Sequence, residues 1–476
     1  MSADRAGMAT RRWWVLAVVC MAMFMGVLDS TSVYAGLPAI AVDLGFAQAE
    51  VQWVITAYGV AVGGLLLLGG RLADYGGRRR VFMIAVGLFA ASSLLAGLAG
   101  SSEVLVAARV LQGVGAAVMT PAGLSILMLV FPDGPARHKA LGIWGGLGGI
   151  GASAGLLLGG VLTDWAGWAW IFLTNVPVCL LVLLLCPVLV PESTPVRQRL
   201  DLPGALTVTT ALVLLLVGLF RVAGPGLDRL AVLCGLGAAA LTGLFVAIER
   251  RSPSPLVPIR IFASRTLVGG NLVIVIAGIA VDGLLIVLTL YTQQVLGLSA
   301  LQFGLTMAVM TVTSVAGVML GQHLVTRSGF RLVATGGLVL LALACVLLSG
   351  LSPDATLAAD LLAGLVVFGA GMGAAFVAGQ IAALADVAER DAGLAAGLEE
   401  TSFAVGTTIG AALASAVAIG YATRGGTTTP STAALSDGFG VALLVLAGLA
   451  ALGALVAVTM LRVVPRTVPA KEAVTS

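Results

Sequence analysis

Charge is what this chain has least of. Only 10% of its 476 residues are Asp, Glu, Lys or Arg, against 59% hydrophobic. Soluble domains carry about 25% charge, so these residues cannot assemble a water-facing shell, and a polytopic membrane protein is expected. Histidine is almost missing: His138 and His323 stand alone in polar segments, which leaves no metal box. The five cysteines (Cys20, Cys179, Cys186, Cys234, Cys345) all fall inside apolar runs without paired spacing, so neither a disulfide framework nor a metal site is expected from them. No nucleotide-binding glycine loop and no hydrolase elbow occurs, so no enzyme activity is expected. The net charge of +3 says little by itself, and nothing in the sequence points to nucleic acid.

What the chain does have is long apolar runs. They lie near 13–36, 51–70, 81–100, 104–130, 141–163, 169–190, 204–221, 229–248, 267–291, 301–322, 332–350, 357–379, 393–420 and 439–461. A bilayer core of about 30 Å needs roughly 20 apolar residues. Without period-two alternation these runs can cross only as helices. The expectation is an all-α polytopic membrane protein with fourteen transmembrane helices. The first run contains Asp29 and is followed by many like it, so it is read as a span and not as a cleaved signal. With the N-terminus inside, 21 of the 25 Lys and Arg residues fall on one side. Arg221, Arg229 and Arg424 fall on the other, and Arg109 lies within a span. That asymmetry places both termini in the cytoplasm.

Between the second and third runs sits a charged clasp, Gly70-Arg-Leu-Ala-Asp-Tyr-Gly-Gly-Arg-Arg-Arg80. A topology anchor explains its arginines but not Gly70, Asp74 and Gly77. About 252 residues later, Gln322 to Arg331 repeats it in degenerate form, with Leu324, Gly329 and Arg331 where Leu72, Gly77 and Arg79 stood, and Thr326 in place of the acid. The repeat implies two pseudo-symmetric six-helix halves, 1–190 and 266–476, separated by linkers and two extra helices over 191–265.

Ionisable groups inside the spans are few and therefore informative. Asp29 lies deep in the first run, where an ionised carboxylate costs about 2.5–3.5 kcal/mol on insertion scales and needs a partner or a water-filled cavity. Arg109 needs a carboxylate for the same reason, and Asp29 in the same half is one candidate. The pair is either a proton-coupling device or a permanent buried salt bridge. Asp282 stands alone near the middle of its span and reads as a proton or cation site. Glu399 and Glu400 are adjacent near the cytoplasmic end of a later span. Since neighbours on a helix point about 100° apart, at most one faces a central cavity, or both sit at the interface. Gly151, Gly155 and Gly159 recur every four residues beside Gly160, which leaves a bare seam for close helix packing.

These strings resemble the major facilitator superfamily. The clasp matches its loop between spans 2 and 3 at Gly70, Leu72, Ala73, Asp74, Gly77, Arg78, Arg79 and Arg80. The stretch Leu28 to Pro38 resembles the first-span signature of its fourteen-span multidrug:proton antiporters, the quaternary-ammonium and multidrug exporter type. Tyr34 stands there for the usual Asn, and Gly36 for the usual Ala. Arg109, Gln112 and Gly113 fit the span 4 motif, and Gly151, Gly155, Gly159 and Gly160 fit the antiporter motif, with Leu156 where proline is usual. Trp168 to Pro177 resembles the start of span 6, with Ala169 in place of Arg. The resemblance implies alternating access, with Asp74 and Arg78 gating the cytoplasmic face. It also implies a central cavity between the halves, for which Asp29, Tyr34, Arg109, Gln112, Asp282, Glu399 and Glu400 are the candidate residues. Asp282 lies outside any motif of the family, and Glu399 and Glu400 stand near where related transporters often have Asn. The expected partners are a drug-like small molecule, protons and the lipid bilayer, with no cofactor beyond the proton gradient and a monomer as the working unit. Only two of the 25 basic residues are lysine and Ala and Gly abound, a high-GC composition that points to a bacterial plasma membrane. Import or facilitated passage of a metabolite, which Leu156 permits, and a non-transport scaffold are the alternatives.

Overall fold

The structure is a computed structural model that describes residues 2–462. Short stretches at 48–49, 132–133, 193–200, 224–227, 253–254, 256, 258, 351, 354–359, 386, 388–391 and 425–430 lie outside the described residues. The linker between 191 and 203 and the C-terminal tail are thus described only in part. Among the described residues there is no strand. The helices are α1 (Ser2–Asp43), α2 (Trp53–Gly76), α3 (Arg78–Gly97), α4 (Ser102–Val130), α5 (Pro135–Ala166), α6 (Ala169–Leu173), α7 (Asn175–Leu189), α8 (Leu202–Ala223) and α9 (Arg229–Arg251). They continue as α10 (Arg265–Leu290), α11 (Ala300–Ser328), α12 (Phe330–Leu348), α13 (Leu362–Ala385), α14 (Ala392–Ala422) and α15 (Thr432–Met460). Among the described residues eleven helices are long and apolar enough to cross a membrane, counting α6 and α7 as one, and three shorter apolar stretches lie at Trp53–Leu66, Ile150–Ala166 and Pro203–Leu215. With no water in hydrocarbon to satisfy backbone groups, each run closes its own hydrogen bonds.

Glycine ends helices where the chain must reverse. Gly77 closes α2 and opens α3 at φ 87°, ψ 122°. Gly329, its counterpart in the degenerate repeat, does the same between α11 and α12 at φ 79°, ψ 157°. A side chain at either position meets left-handed strain of about 1–2 kcal/mol, so the repeat has kept the one residue type whose backbone the turn requires.

Helices α1 to α7 pack on one another, as do α10 to α15, while the α8–α9 hairpin leans on α2 and α14. The clasp marks one end of the bundle. At the opposite end the two groups of helices touch through several contacts. The Gln293 side chain donates to the Ala35 carbonyl at 3.1 Å, and the Leu301 amide donates to Asp164 at 3.1 Å. A Cβ on Gly160 would lie 2.5 Å from the Ala300 carbonyl oxygen, and one on Gly304 would lie 2.6 Å from that of Leu156. The apolar core follows the same division. One cluster runs from Val33, Leu37 and Ile40 of α1 into α10, α11 and α15, so it crosses both groups at the end away from the clasp. A second, built on Val15 to Leu28, Phe82, Phe89 and Trp144, stays within α1 to α7.

The glycine seam behaves as its spacing predicts. Gly151 faces Val27, a Cβ on Gly155 would lie 2.6 Å from the Leu28 carbonyl, and one on Gly159 would lie 2.4 Å from that of Ser32. Helices α1 and α5 therefore touch backbone to backbone. Leu156, where a proline was expected from the resemblance, keeps its amide, and α5 runs unbroken past it.

A buried charge network and the family it belongs to

Arg109 and Gln112 are three residues apart on α4 and so share a face, and α1, α3 and α7 complete a polar cage around it. Asp29 on α1 is fully buried, and Arg109 is 1% exposed. The Arg109 guanidinium donates through Nη1 to Asp29 Oδ2 at 2.5 Å. The other carboxylate oxygen accepts from Gln112 Nε2 at 2.8 Å and from Asn175 Nδ2 at 2.7 Å. Ser93 Oγ on α3 accepts from Gln112 at 2.8 Å. Arg109 also donates from Nε to the Val54 carbonyl of α2 at 2.8 Å, and its guanidinium lies 4.3 Å from the Tyr58 ring centroid. Desolvating two charges costs several kcal/mol apiece, and only good geometry with further hydrogen bonds offsets it. Three donors on one carboxylate meet that condition. The sequence reading paired Asp29 with Arg109 and named Gln112. It did not assign Asn175, a neutral amide carried in by the break between α6 and α7, or Ser93. The available signal was an amide ahead of Pro177 in an otherwise apolar run.

Tyr34 sits one turn beyond this cage on α1, 2% exposed. Its hydroxyl lies near the Asp282 carboxyl of α10. It makes no formed hydrogen bond. Asp282, which no motif explained, is thus brought near a residue of the first-span signature across the boundary between the two groups of helices. Glu399 on α14 is 5% exposed and accepts from Gln380 Nε2 of α13 at 3.2 Å, while its neighbour Glu400 is exposed. Nearby, Ser402 donates to Asn271 of α10 at 2.8 Å. These second-group acids are separate from the Asp29 cage.

At the clasp, the arginines hold neighbouring helix ends. Arg71 donates to the Pro255 carbonyl at 3.0 Å, Arg78 to that of Ser125 at 3.2 Å, and Arg79 to those of Pro187 and Val190 at 3.2 Å. Arg79 also pairs with Glu192 at 2.5 Å in a partly exposed bridge, of the sort that contributes about 0–1 kcal/mol. The clasp face of Gly70 approaches Pro121 of α4. The Asp74 side chain lies outside the described residues. An open groove of ≈ 850 Å³ at the opposite end, lined by Asp43 and Trp168 among others, includes none of the buried acids. The five cysteines are free and buried, and no three metal-ligating side chains gather among the described residues.

Apolar helices thus enclose a compensated charge pair, and long apolar helices dominate the fold, the architecture of a polytopic membrane protein. The chain belongs to the Major Facilitator Superfamily, whose family model matches residues 19–248 and 270–476. It is 38% identical over 424 residues to the puromycin resistance protein pur8 of Streptomyces alboniger, covering 88% of this chain and 84% of that one. It is 37% identical over 404 residues to the cephamycin export protein CmcT of Amycolatopsis lactamdurans, covering 84% and 83%. Among solved structures it resembles a bacterial homolog of the human lysosomal transporter Spinster in an inward-facing, unoccupied conformation. The TM-score is 0.65 at 18% identity, with 94% of this chain and 96% of that one covered.

Proposed function

We propose that this chain is a proton-coupled exporter of lipophilic or cationic small molecules, working by alternating access with no prosthetic group. The observation that carries the reading is the Asp29–Arg109 pair, sealed from water and held by Gln112 and Asn175 at the core of the first group of helices. A proton on Asp29 removes the charge that Arg109 needs, so protonation and repacking are tied together. The names of the pur8 and CmcT relatives support an antibiotic or similar drug as substrate.

In this reading the eleven spans and three shorter apolar helices make fourteen crossings. They divide into halves at 1–190 and 266–476, with the α8–α9 hairpin between. Both termini and the clasp face the cytoplasm of a bacterial cell, where Asp74 and Arg78 serve as the gate, and the working unit is a monomer. Contacts between the halves at the end away from the clasp then correspond to a carrier closed outside. Glu399, held by Gln380, is then a buried acid toward the cytoplasmic end of α14, beside exposed Glu400.

The test is efflux in energised inverted membrane vesicles with one cationic and one neutral compound. Asp282→Asn is expected to lower efflux of the cation about tenfold, a loss of about 1.4 kcal/mol, and to spare the neutral compound. Tyr34→Phe removes the facing hydroxyl and keeps the carboxylate, so cation efflux survives it. Equal loss of both compounds in Asp282→Asn would remove Asp282 from substrate selection. Absence of proton-driven efflux of either compound by the unaltered protein would overturn export itself.

A further inference from the structure

Most cations at the clasp end finish on protein acceptors. Arg11 donates to the Val188 and Leu189 carbonyls at 3.0 and 3.3 Å, Arg71, Arg78 and Arg79 reach backbone carbonyls, and Arg137 lies on the Met128 sulfur at 2.9 Å. Arg12 of α1 and Lys139 of α5 do not. Arg12 Nε is buried without a hydrogen-bond partner, and the guanidinium carbon stands 5.8 Å from the Phe131 ring centroid. Lys139 Nζ stands 5.4 Å from the Trp13 ring centroid. Trp13 and Phe131 meet edge to face, with centroids 5.2 Å apart. Two cations from neighbouring helices therefore flank one aromatic pair.

The depth of this group follows from α1, whose apolar run 13–36 begins directly after Arg11 and Arg12. Arg12 and Trp13 therefore stand at the start of that run, at the level of lipid headgroups, where amphipathic rings collect. Trp14 beside them is 60% exposed. A cation over a ring gains only about 0.5–1 kcal/mol at an exposed site, and a buried guanidinium nitrogen left unpaired is costly. An anion supplied by the surroundings satisfies both. The anion at this depth is a phosphodiester, and basic pockets between helices on the cytoplasmic side take such headgroups. A pure topology signal needs neither a buried nitrogen nor an aromatic pair beneath it.

We propose that Arg12 and Lys139 grip the phosphodiester headgroup of an anionic phospholipid, with Trp13 and Phe131 as the platform for its glycerol and first acyl carbons. The site lies apart from the Asp29 cage and holds whether or not the chain exports drugs.

The experiment is native mass spectrometry of the full chain in mild detergent, titrated with phosphatidylglycerol or phosphatidylcholine. The unaltered protein is expected to retain phosphatidylglycerol preferentially. Arg12→Gln with Lys139→Gln should lower that retention about thirtyfold, in line with about 1 kcal/mol for each of the two basic residues near a charged lipid surface. Arg80→Gln, which removes an exposed clasp cation, should leave it unchanged. No preference in the unaltered protein, or equal loss in Arg80→Gln, overturns the proposal in favour of diffuse charge. Displacement of the lipid by inorganic phosphate would make this a free-phosphate site and overturn the lipid assignment. Because the unaltered protein already decides the preference, a variant that fails to fold does not rescue the idea.

Discussion

Asp29→Asn is expected to abolish proton-driven efflux of cationic and neutral compounds alike and to destabilise the protein by about 3–5 kcal/mol, the usual cost of leaving one member of a buried pair uncompensated. Both effects come from one carboxylate that accepts from Arg109, Gln112 and Asn175. An asparagine oxygen can keep some of these bonds, but its amide nitrogen then faces the donors on the other side, and the Arg109 charge stays buried. The double change Asp29→Asn with Arg109→Gln separates the two effects. With no charge left to compensate, thermal stability should recover most of the loss, while efflux stays absent because no titrating group remains in the cage. Thermal melting in detergent and vesicle efflux, run on the same three proteins, read this out. Recovered efflux in the double variant would reduce the pair to a structural brace.

The second large effect concerns two adjacent glycines. A Cβ on Gly159 would fall 2.4 to 2.9 Å from three backbone atoms of Ser32 on α1. Nothing there is a flexible side-chain tip, so Gly159→Ala must part α1 from α5, at about 1–3 kcal/mol for overpacking. A Cβ on Gly160 would fall 2.5 to 2.9 Å from backbone atoms of Ala300 and Leu301 on α11. That clash lies between α5 and α11, across the two groups of helices and not within one. Gly159→Ala should therefore lower melting temperature, whereas Gly160→Ala should leave it nearly unchanged and favour the conformation open at that end. A penalty of 1–3 kcal/mol shifts such an equilibrium about 5–150-fold. Spin-label distances between the ends of α5 and α11 measure the shift. Equal melting losses in both variants would mean that the two contacts belong to one rigid body.

The parts of this molecule legible from sequence are those where hydrocarbon leaves no choice. Helical crossings, the glycine seam and the need of Arg109 for a carboxylate each follow from groups that cannot be left unsatisfied in lipid. Asn175 and Ser93 were not legible, because a neutral amide or hydroxyl in an apolar run is cheap enough to need no explanation. Asp282 was found as an isolated acid, but its meeting with Tyr34 depends on how α1 and α10 cross, which spacing along one helix does not encode. The adjacent glutamates could be limited to one inward residue, and the bond from Gln380 distinguishes Glu399 as the buried one. Span edges moved where turn chemistry intervened, as at α15, which Ser431 caps so that it begins at Thr432 and not near 439.

The α8–α9 hairpin has a consequence for how motion could be watched. Thr209 of α8 donates to the Gly64 carbonyl of α2 at 2.6 Å, and Arg71 at the end of α2 holds the Pro255 carbonyl just beyond α9. Both ties fasten the hairpin to the first half, and no comparable bond joins α8 to α14 among the described residues. Rocking of one half against the other would then make α8 slide along α14 while α9, most of its surface facing lipid, rides with α2. A dye on the lipid side of α9 and another on α15 would thus act as hands of a clock, reporting each turnover from outside the cavity.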